Sequence, residues 1–227
     1  MPLKLGNSSK DSKYLKTIKT AIEHNKAHPR HHGVKMQAHH LISGEGMKRT
    51  NLGKKIEKFG YDINNLMNLA FIPCTLQGAC YLGVQPHRGN HTAAVDQDDY
   101  DDDNEPITYH DVVAKRLTDL QLPLAKECKG AADHRNDQIK QDLDKLSARL
   151  AKLIQNSPAK LPLTSIAASF TTGSLTGCGG VDSVGLHRPG EACPVKRHHA
   201  GNKQGTGQKE EAISFESSIP FTLKPGR

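Results

Sequence analysis

Two pairs of histidines carry the chemistry that this sequence can do. His39 and His40 are adjacent on a segment, Val34 to Ile42, that reads as extended. Successive side chains of an extended chain point to opposite faces, so one imidazole can face a metal while the other faces a water. His87 and His91 are four residues apart with Gly89 between them, a spacing that lets both approach one ion if the backbone turns there. Asn68 stands at the start of a short apolar run and can tie a loop through its side-chain amide. Neutral imidazole is the natural base near pH 7 and a common metal ligand. Hydrolysing a phosphodiester requires that a water be deprotonated, the phosphorane charge stabilised and the leaving oxygen neutralised. One histidine as base and two or three ligands around a metal with open positions form a minimal site for that reaction.

The remaining histidines and the cysteines point elsewhere. His31-His32 and His198-His199 read as inert surface pairs. The five cysteines, Cys74, Cys80, Cys128, Cys178 and Cys193, include no C-x-x-C pair, so neither a zinc ribbon nor a thioredoxin-type motif is present. They are taken as reduced thiols, with a Cys178–Cys193 disulfide as the alternative. A zinc site from Cys178, His187, Cys193 and His198 has irregular spacing, and an ordinary loop is the preferred reading there.

The elements that must position the histidines follow from periodicity. Asp11 to Ala27 reads as a helix, with Leu15, Ile18 and Ile22 on one face and Lys13, Lys16, Lys19 and Lys26 on the other. Glu45 to Phe59 reads as a second helix stopped by Gly60, and Leu69 to Pro73 as a short strand. Residues 74–90 read as a loop that brings in His87 and His91. Ile107 to Leu120 reads as a helix, as does Asp133 to about Ile154, whose stripe of Ile139, Leu143, Leu146, Leu150 and Leu153 suits core packing or a partner-facing seam. The expected organisation is one domain over 1–157, with its site-bearing core at about 34–120 and its long helix at 133–156. A poorly ordered or loosely docked tail is expected over 158–227, where Gly, Pro, Ser, Thr and Ala dominate, with a possible strand near Ala212 to Leu223.

Charge and composition narrow the function classes. The net charge is +7, and residues 1–58 alone hold thirteen Lys/Arg against four Asp/Glu. A basic body suits a phosphate backbone. Between Asp96 and Glu105 lie seven acids and no base, a segment expected to be a solvated loop. No run is apolar enough to span a bilayer, and the first residues lack the apolar core of a secretory signal. With no Trp and 4% aromatic residues, a base-stacking surface for single strands is not expected.

Taken together, Gln37-Ala38-His39-His40-Leu41-Ile42, then Gly60 to Ile63, Asn68 to Pro73, and His87-Arg88-Gly89-Asn90-His91 resemble the AHH family of the HNH/endonuclease VII superfamily. The resemblance covers about residues 36–120. Members of that family occur mostly as toxin domains of bacterial polymorphic and type VI secretion effectors. The family pattern continues with a Tyr about three residues after the last His and a Val four residues later. Here Ala94 occupies that place, and Tyr109 with Val113 supplies the pair downstream of the acidic insertion.

The resemblance implies an α+β, mostly helical fold with a ββα-metal (His-Me finger) motif embedded in helices. It implies His39 as a metal ligand, His40 as the general base, Asn68 as the holder of the His40 loop, and His87 and His91 as further ligands or phosphate contacts. Arg88, Lys16 and Lys19 are candidates for backbone contacts to nucleic acid. The implied cofactor is one divalent metal, Mg²⁺ first, with Zn²⁺, Mn²⁺ or Ni²⁺ as alternatives. The implied function is hydrolysis of DNA by an antibacterial effector, exported without a classical signal peptide and acting in the target-cell cytoplasm. Such an effector has a cognate immunity protein and a secretion-system carrier as partners, and no membrane contact. Two alternatives stand beside it: a housekeeping phage or repair endonuclease, and a non-catalytic zinc-stabilised nucleic-acid-binding module using His87, His91 and some of Cys74, Cys80, Cys178 and Cys193.

Overall fold

The computed structural model describes residues 12–87, 91, 93–95, 107–122, 132–164, 167–170, 212–215 and 221–227. Its elements in order are α1 (Ser12–Ile22), β1 (Met36–His40), α2 (Gly44–Arg49), α3 (Gly53–Lys58), β2 (Leu69–Pro73), α4 (Leu76–Leu82), α5 (Tyr109–Asp119) and α6 (Ala132–Asn156). The fold is α+β and mostly helical, as expected.

The two strands pair antiparallel, with His39 opposite Ala70 and His40 opposite Leu69. Backbone bonds extend the pairing beyond both ends, from Leu41 N to the Asn68 carbonyl (2.9 Å) and from Cys74 N to the Lys35 carbonyl (3.0 Å). All five residues of β2 are buried, so this strand is the spine on which β1 and its histidines are mounted. Helix α6 covers the core with Ile139, Leu143, Leu150 and Ile154 wholly buried and Leu146 nearly so, which makes its apolar stripe core rather than a partner-facing seam.

Several boundaries differ from the sequence-based expectation for local reasons. Helix α1 ends at Ile22 rather than Ala27. There the side chain of His31 bonds the Ile22 carbonyl (2.9 Å) and that of His32 bonds the Lys26 carbonyl (2.6 Å), so this pair anchors a backbone turn. The single helix expected over Glu45 to Phe59 is two, α2 and α3. Thr50 Oγ1 donates to the Met47 carbonyl and accepts from Leu52 N, and Asn51 takes a left-handed backbone with φ 57°. A side chain competing for backbone groups and a residue in that conformation together end a helix.

The loop expected over 74–90 contains a helix, α4. Thr75 caps its start by accepting from Gly78 N (3.1 Å), and Gly83 ends it with φ 64°. Both are ordinary end signals, but seven residues are too few for a clear apolar period.

The described parts of the expected 158–227 tail are integral to the core. Leu161 and Leu163 are buried, as are Phe215 and Leu223. Gln85 binds this region with three hydrogen bonds: its amide nitrogen donates to the Ile154 and Leu161 carbonyls (both 2.9 Å), and its oxygen accepts from Leu163 N (2.7 Å). At the chain end, Gly226 N donates to the Leu69 carbonyl (2.7 Å) and the Arg227 carbonyl accepts from Phe71 N (2.6 Å), so the last residues lie along the free edge of β2. These pieces pack tightly because they carry the apolar residues and backbone partners that complete β2. No ladder is formed near 212–223 in the described part. Residues 171–211 lie outside the described ones, as do His198-His199 and the Cys178–Cys193 pair.

Candidate active site

The alternation of β1 decides the layout. His39 leaves one face of the strand and His40 the other. On the His39 side, one ring nitrogen from each of His39, His87 and His91 lies within 4.8 Å of the others. The His39 ring is 4.8 Å from that of His87 and 5.1 Å from that of His91, centroid to centroid. His87 reaches this position at the end of the α4 loop, where its backbone N donates to the Pro73 carbonyl (2.8 Å). His91 takes a left-handed backbone, φ 56°, which is uncommon for a residue with a side chain and recurs where function dictates geometry.

Tyr109 joins this cluster from the first turn of α5. Its hydroxyl donates to the Leu41 carbonyl (2.6 Å) and lies 2.9 Å from Nε2 of His39. The hydroxyl has one proton, and a carbonyl can only accept it. The His39 Nε2–H therefore donates to the tyrosine oxygen, and Nδ1 of His39 keeps its lone pair. The acidic insertion does not displace Tyr109. Ala94 and Thr108 form a β-bridge, and Val95 N donates to the Ile107 carbonyl (2.7 Å), so the two ends of the insertion meet. Residues 96–105 themselves lie outside the described ones. Thr108 then caps α5 in a capping box with Asp111 and sets Tyr109 onto His39.

The electrostatics of the cluster suit a cation. Burial, followed by the neighbouring imidazoles His87, His91, His40 and His110, holds His39 well below the usual histidine range. Burial and then His91 and His40 bring His87 down to about 3, and burial and then His110 bring His91 down to about 4. All three are neutral near pH 7. Nε2 of His91 is buried without a hydrogen-bond partner among the described residues. Three neutral imidazoles around one point, one with an unsatisfied buried nitrogen, fit a divalent metal ion of the kind imidazole binds.

On the opposite face, Nε2 of His40 is 2.9 Å from Asn64 Oδ1, and its ring stands 4.8 Å from that of Tyr14 on α1. An amide oxygen only accepts, so His40 carries its proton on Nε2. Asn68 is wholly buried. Its oxygen accepts from Ile42 N (2.7 Å) and from Ser147 Oγ (3.0 Å), and its nitrogen donates to the carbonyls of Ile42 (3.0 Å) and Ile63 (2.9 Å). It thus joins the chain after β1, the 60–65 loop and α6. Being inaccessible, it positions the site and does not touch a substrate.

The structure thus brings together His39, His87, His91 and Tyr109, with His40 next to them held by Asn64 and Asn68 buried where it ties the chain after β1. Lys16 and Lys19 are exposed on α1, whose inner face carries Tyr14 against His40. Arg88 lies outside the described residues, as do Gly89 and Asn90. Cys74 is half-buried and is not part of the histidine cluster, which contains no thiolate among the described residues. Sequence reasoning missed Asn64 and Tyr14. Tyr14 precedes Ile18 and Ile22 at four-residue intervals, a signal that places it on the buried face of α1. Asn64 sits in an Asx turn whose first residue, Asp62, accepts from Asn64 N (2.9 Å).

A basic α+β protein with a histidine cluster on one face of a hairpin and a separately oriented histidine on the other carries groups suited to hydrolytic chemistry. The chain belongs to the AHH family, a nuclease family of the HNH/ENDO VII superfamily with conserved AHH, whose family model matches residues 16–152. The match takes in most of α1 and of α6 as well as the motif-bearing centre. No curated protein matches the chain, and no solved structure does.

Proposed function

We propose that this nuclease is a metal-dependent endonuclease that cuts DNA, with His39, His87 and His91 as its metal ligands and His40 as its general base. The observation that carries the reading is the division of labour across β1: a neutral three-imidazole cluster on one face and a separately oriented imidazole on the other. When bound, a divalent metal supplies Lewis-acid stabilisation of the charge that builds on the phosphate and the leaving oxygen. The protein's own groups do the rest. Asn64 holds the Nε2 proton of His40, so Nδ1 is the nitrogen that takes a proton from the attacking water. Tyr109 holds the Nε2 proton of His39 and keeps its Nδ1 available. Asn68 fixes the chain that follows both histidines. The expected products carry a 5′-phosphate and a 3′-hydroxyl.

Mg²⁺ is the ion first expected from the family resemblance. A cluster of three imidazoles, with no carboxylate among the described residues, suits Zn²⁺, Ni²⁺ or Mn²⁺ as well. The basic residues of α1, Lys16 and Lys19 among them, and Arg88 are proposed to meet the DNA backbone. The biological reading is an antibacterial effector exported by a secretion-system carrier. It would act in the cytoplasm of the target cell and be held in check by an immunity protein. The family resemblance and the basic N-terminal part support it.

The test is cleavage of supercoiled plasmid with Mg²⁺, Mn²⁺, Zn²⁺, Ni²⁺ or EDTA, wild type beside His40→Ala. Metal-dependent nicking that His40→Ala abolishes is the expected result. Wild-type levels of cleavage by His40→Ala would sink the assignment of the base. No cleavage of DNA but cleavage of RNA would overturn the substrate. Expression in bacteria then separates an effector, toxic as wild type and harmless as His40→Ala, from a housekeeping nuclease tolerated in both forms.

A further inference from the structure

Gln37 precedes His39 by two residues on β1, so both side chains leave the same face of the strand. Its Oε1 is 3.0 Å from Nδ1 of His87, fifty residues away in the chain. Because a carboxamide oxygen only accepts, His87 carries its proton on Nδ1 and keeps the lone pair on Nε2. The backbone of His87 is held independently by the Pro73 carbonyl, and Pro73 pairs with Met36, the neighbour of Gln37. The two contacts together fix both the position of His87 and the rotation of its ring. Strand β1 thus supplies one ligand, His39, and the residue that aims a second. Gln37 is itself exposed, between buried Met36 and half-buried Ala38. Its amide fills no space in the core, and its hydrogen bond contributes little to folding.

We infer that Gln37 is a positioning residue of the metal centre, setting the tautomer and ring plane of His87. This inference rests on the reading of His39, His87 and His91 as ligands. Outer partners of metal-bound imidazoles orient the ring and raise its basicity, and removing one typically weakens metal binding ~10–100-fold. An exposed carboxamide two residues before a ligand gives no sign of this role in the sequence, because its partner arrives from a distant loop.

The experiment is calorimetric titration of the metal-stripped full chain with Zn²⁺, alongside thermal unfolding of each metal-free protein. For Gln37→Ala the expected result is Zn²⁺ affinity reduced ~10–100-fold with an unchanged metal-free unfolding midpoint. Gln37→Glu offers the same acceptor with a charge and is expected to bind at least as tightly as wild type. Three results would overturn the inference: wild-type affinity in Gln37→Ala, a matching loss of metal-free stability, or Gln37→Glu as weak as Gln37→Ala. His87→Ala separates the two levels of the argument. If it binds Zn²⁺ as wild type does, the metal-centre reading itself fails. If it loses Zn²⁺ while Gln37→Ala does not, only the role of Gln37 fails.

Discussion

Tyr109 and His39 meet at 2.9 Å across seventy residues of chain, and the Tyr109 hydroxyl donates its own hydrogen bond to the Leu41 carbonyl. These two contacts couple the start of α5 to the strand that carries His39 and His40. Tyr109→Phe would leave a buried imidazole N–H and a buried carbonyl without partners. The expected loss is roughly 2–4 kcal/mol of stability, on the scale of two unmet buried groups. Weaker metal binding should accompany it, since the tautomer of His39 is no longer set. Chemical denaturation and Zn²⁺ titration check the two effects. Unchanged values in both would show that the two contacts hold nothing.

The two asparagines near the site predict opposite phenotypes. Asn64 bonds the His40 ring from a half-buried loop, so Asn64→Ala should lower the cleavage rate on the order of 10- to 100-fold while Zn²⁺ affinity stays at the wild-type value. Asn68 makes four hydrogen bonds, three of them buried, to three parts of the fold, so Asn68→Ala should cost at least about 3 kcal/mol and compromise folding before chemistry. Single-turnover cleavage and denaturant midpoints distinguish them. Equal behaviour of the two variants would contradict the separate roles.

His28 predicts an acid limb in the stability curve. It is buried against Phe71, with Nε2 lacking a partner among the described residues, and burial followed by the charges of His31, Arg30 and Arg227 lowers its pKa to about 4. Its unfolded value is near 6.5. The folded state therefore binds fewer protons than the unfolded state between these values. The stabilisation is complete above about pH 6.5 and is lost as pH falls toward 4. The part due to His28 is at most about 3.5 kcal/mol, from ~1.4 kcal/mol for each pH unit between the two values. A His28→Gln variant should show a shallower fall between pH 6.5 and 4 in denaturant melts. A slope identical to wild type would rule His28 out as a contributor.

The C-terminal residues should behave as part of the catalytic domain. Gln155 on α6 donates to the Phe221 carbonyl (2.8 Å) and accepts from Leu223 N (2.8 Å), holding the segment whose end lies along β2. Gln155→Ala releases both bonds and should cost about 1–3 kcal/mol. Limited proteolysis should then remove the C-terminus faster than in wild type. Equal rates would show that the segment is held by its apolar contacts alone.

Much of the catalytic layout was legible in the residues themselves. The adjacency of His39 and His40 on an extended run dictates opposite faces, because a strand alternates whatever surrounds it. Similarly, the apolar stripe of α6 and the short strand before Pro73 follow from local periodicity. What misled was competition within short segments. The break at Asn51 and the brief helix α4 depend on one or two side chains that capture backbone groups, and such captures leave little periodic trace.

The sequence by itself determined the histidine chemistry, the family, and the strand and helices that carry the site, since residue type and local period act over a few neighbours. Only the tertiary structure decided which atoms meet. Gln37 found His87, Asn64 found His40, and Tyr109 found His39 past an insertion whose ends close on each other. The chain end found the edge of β2 in the same way. Each of these pairings links residues far apart in the chain, and burial of a shared core, not local propensity, selects them.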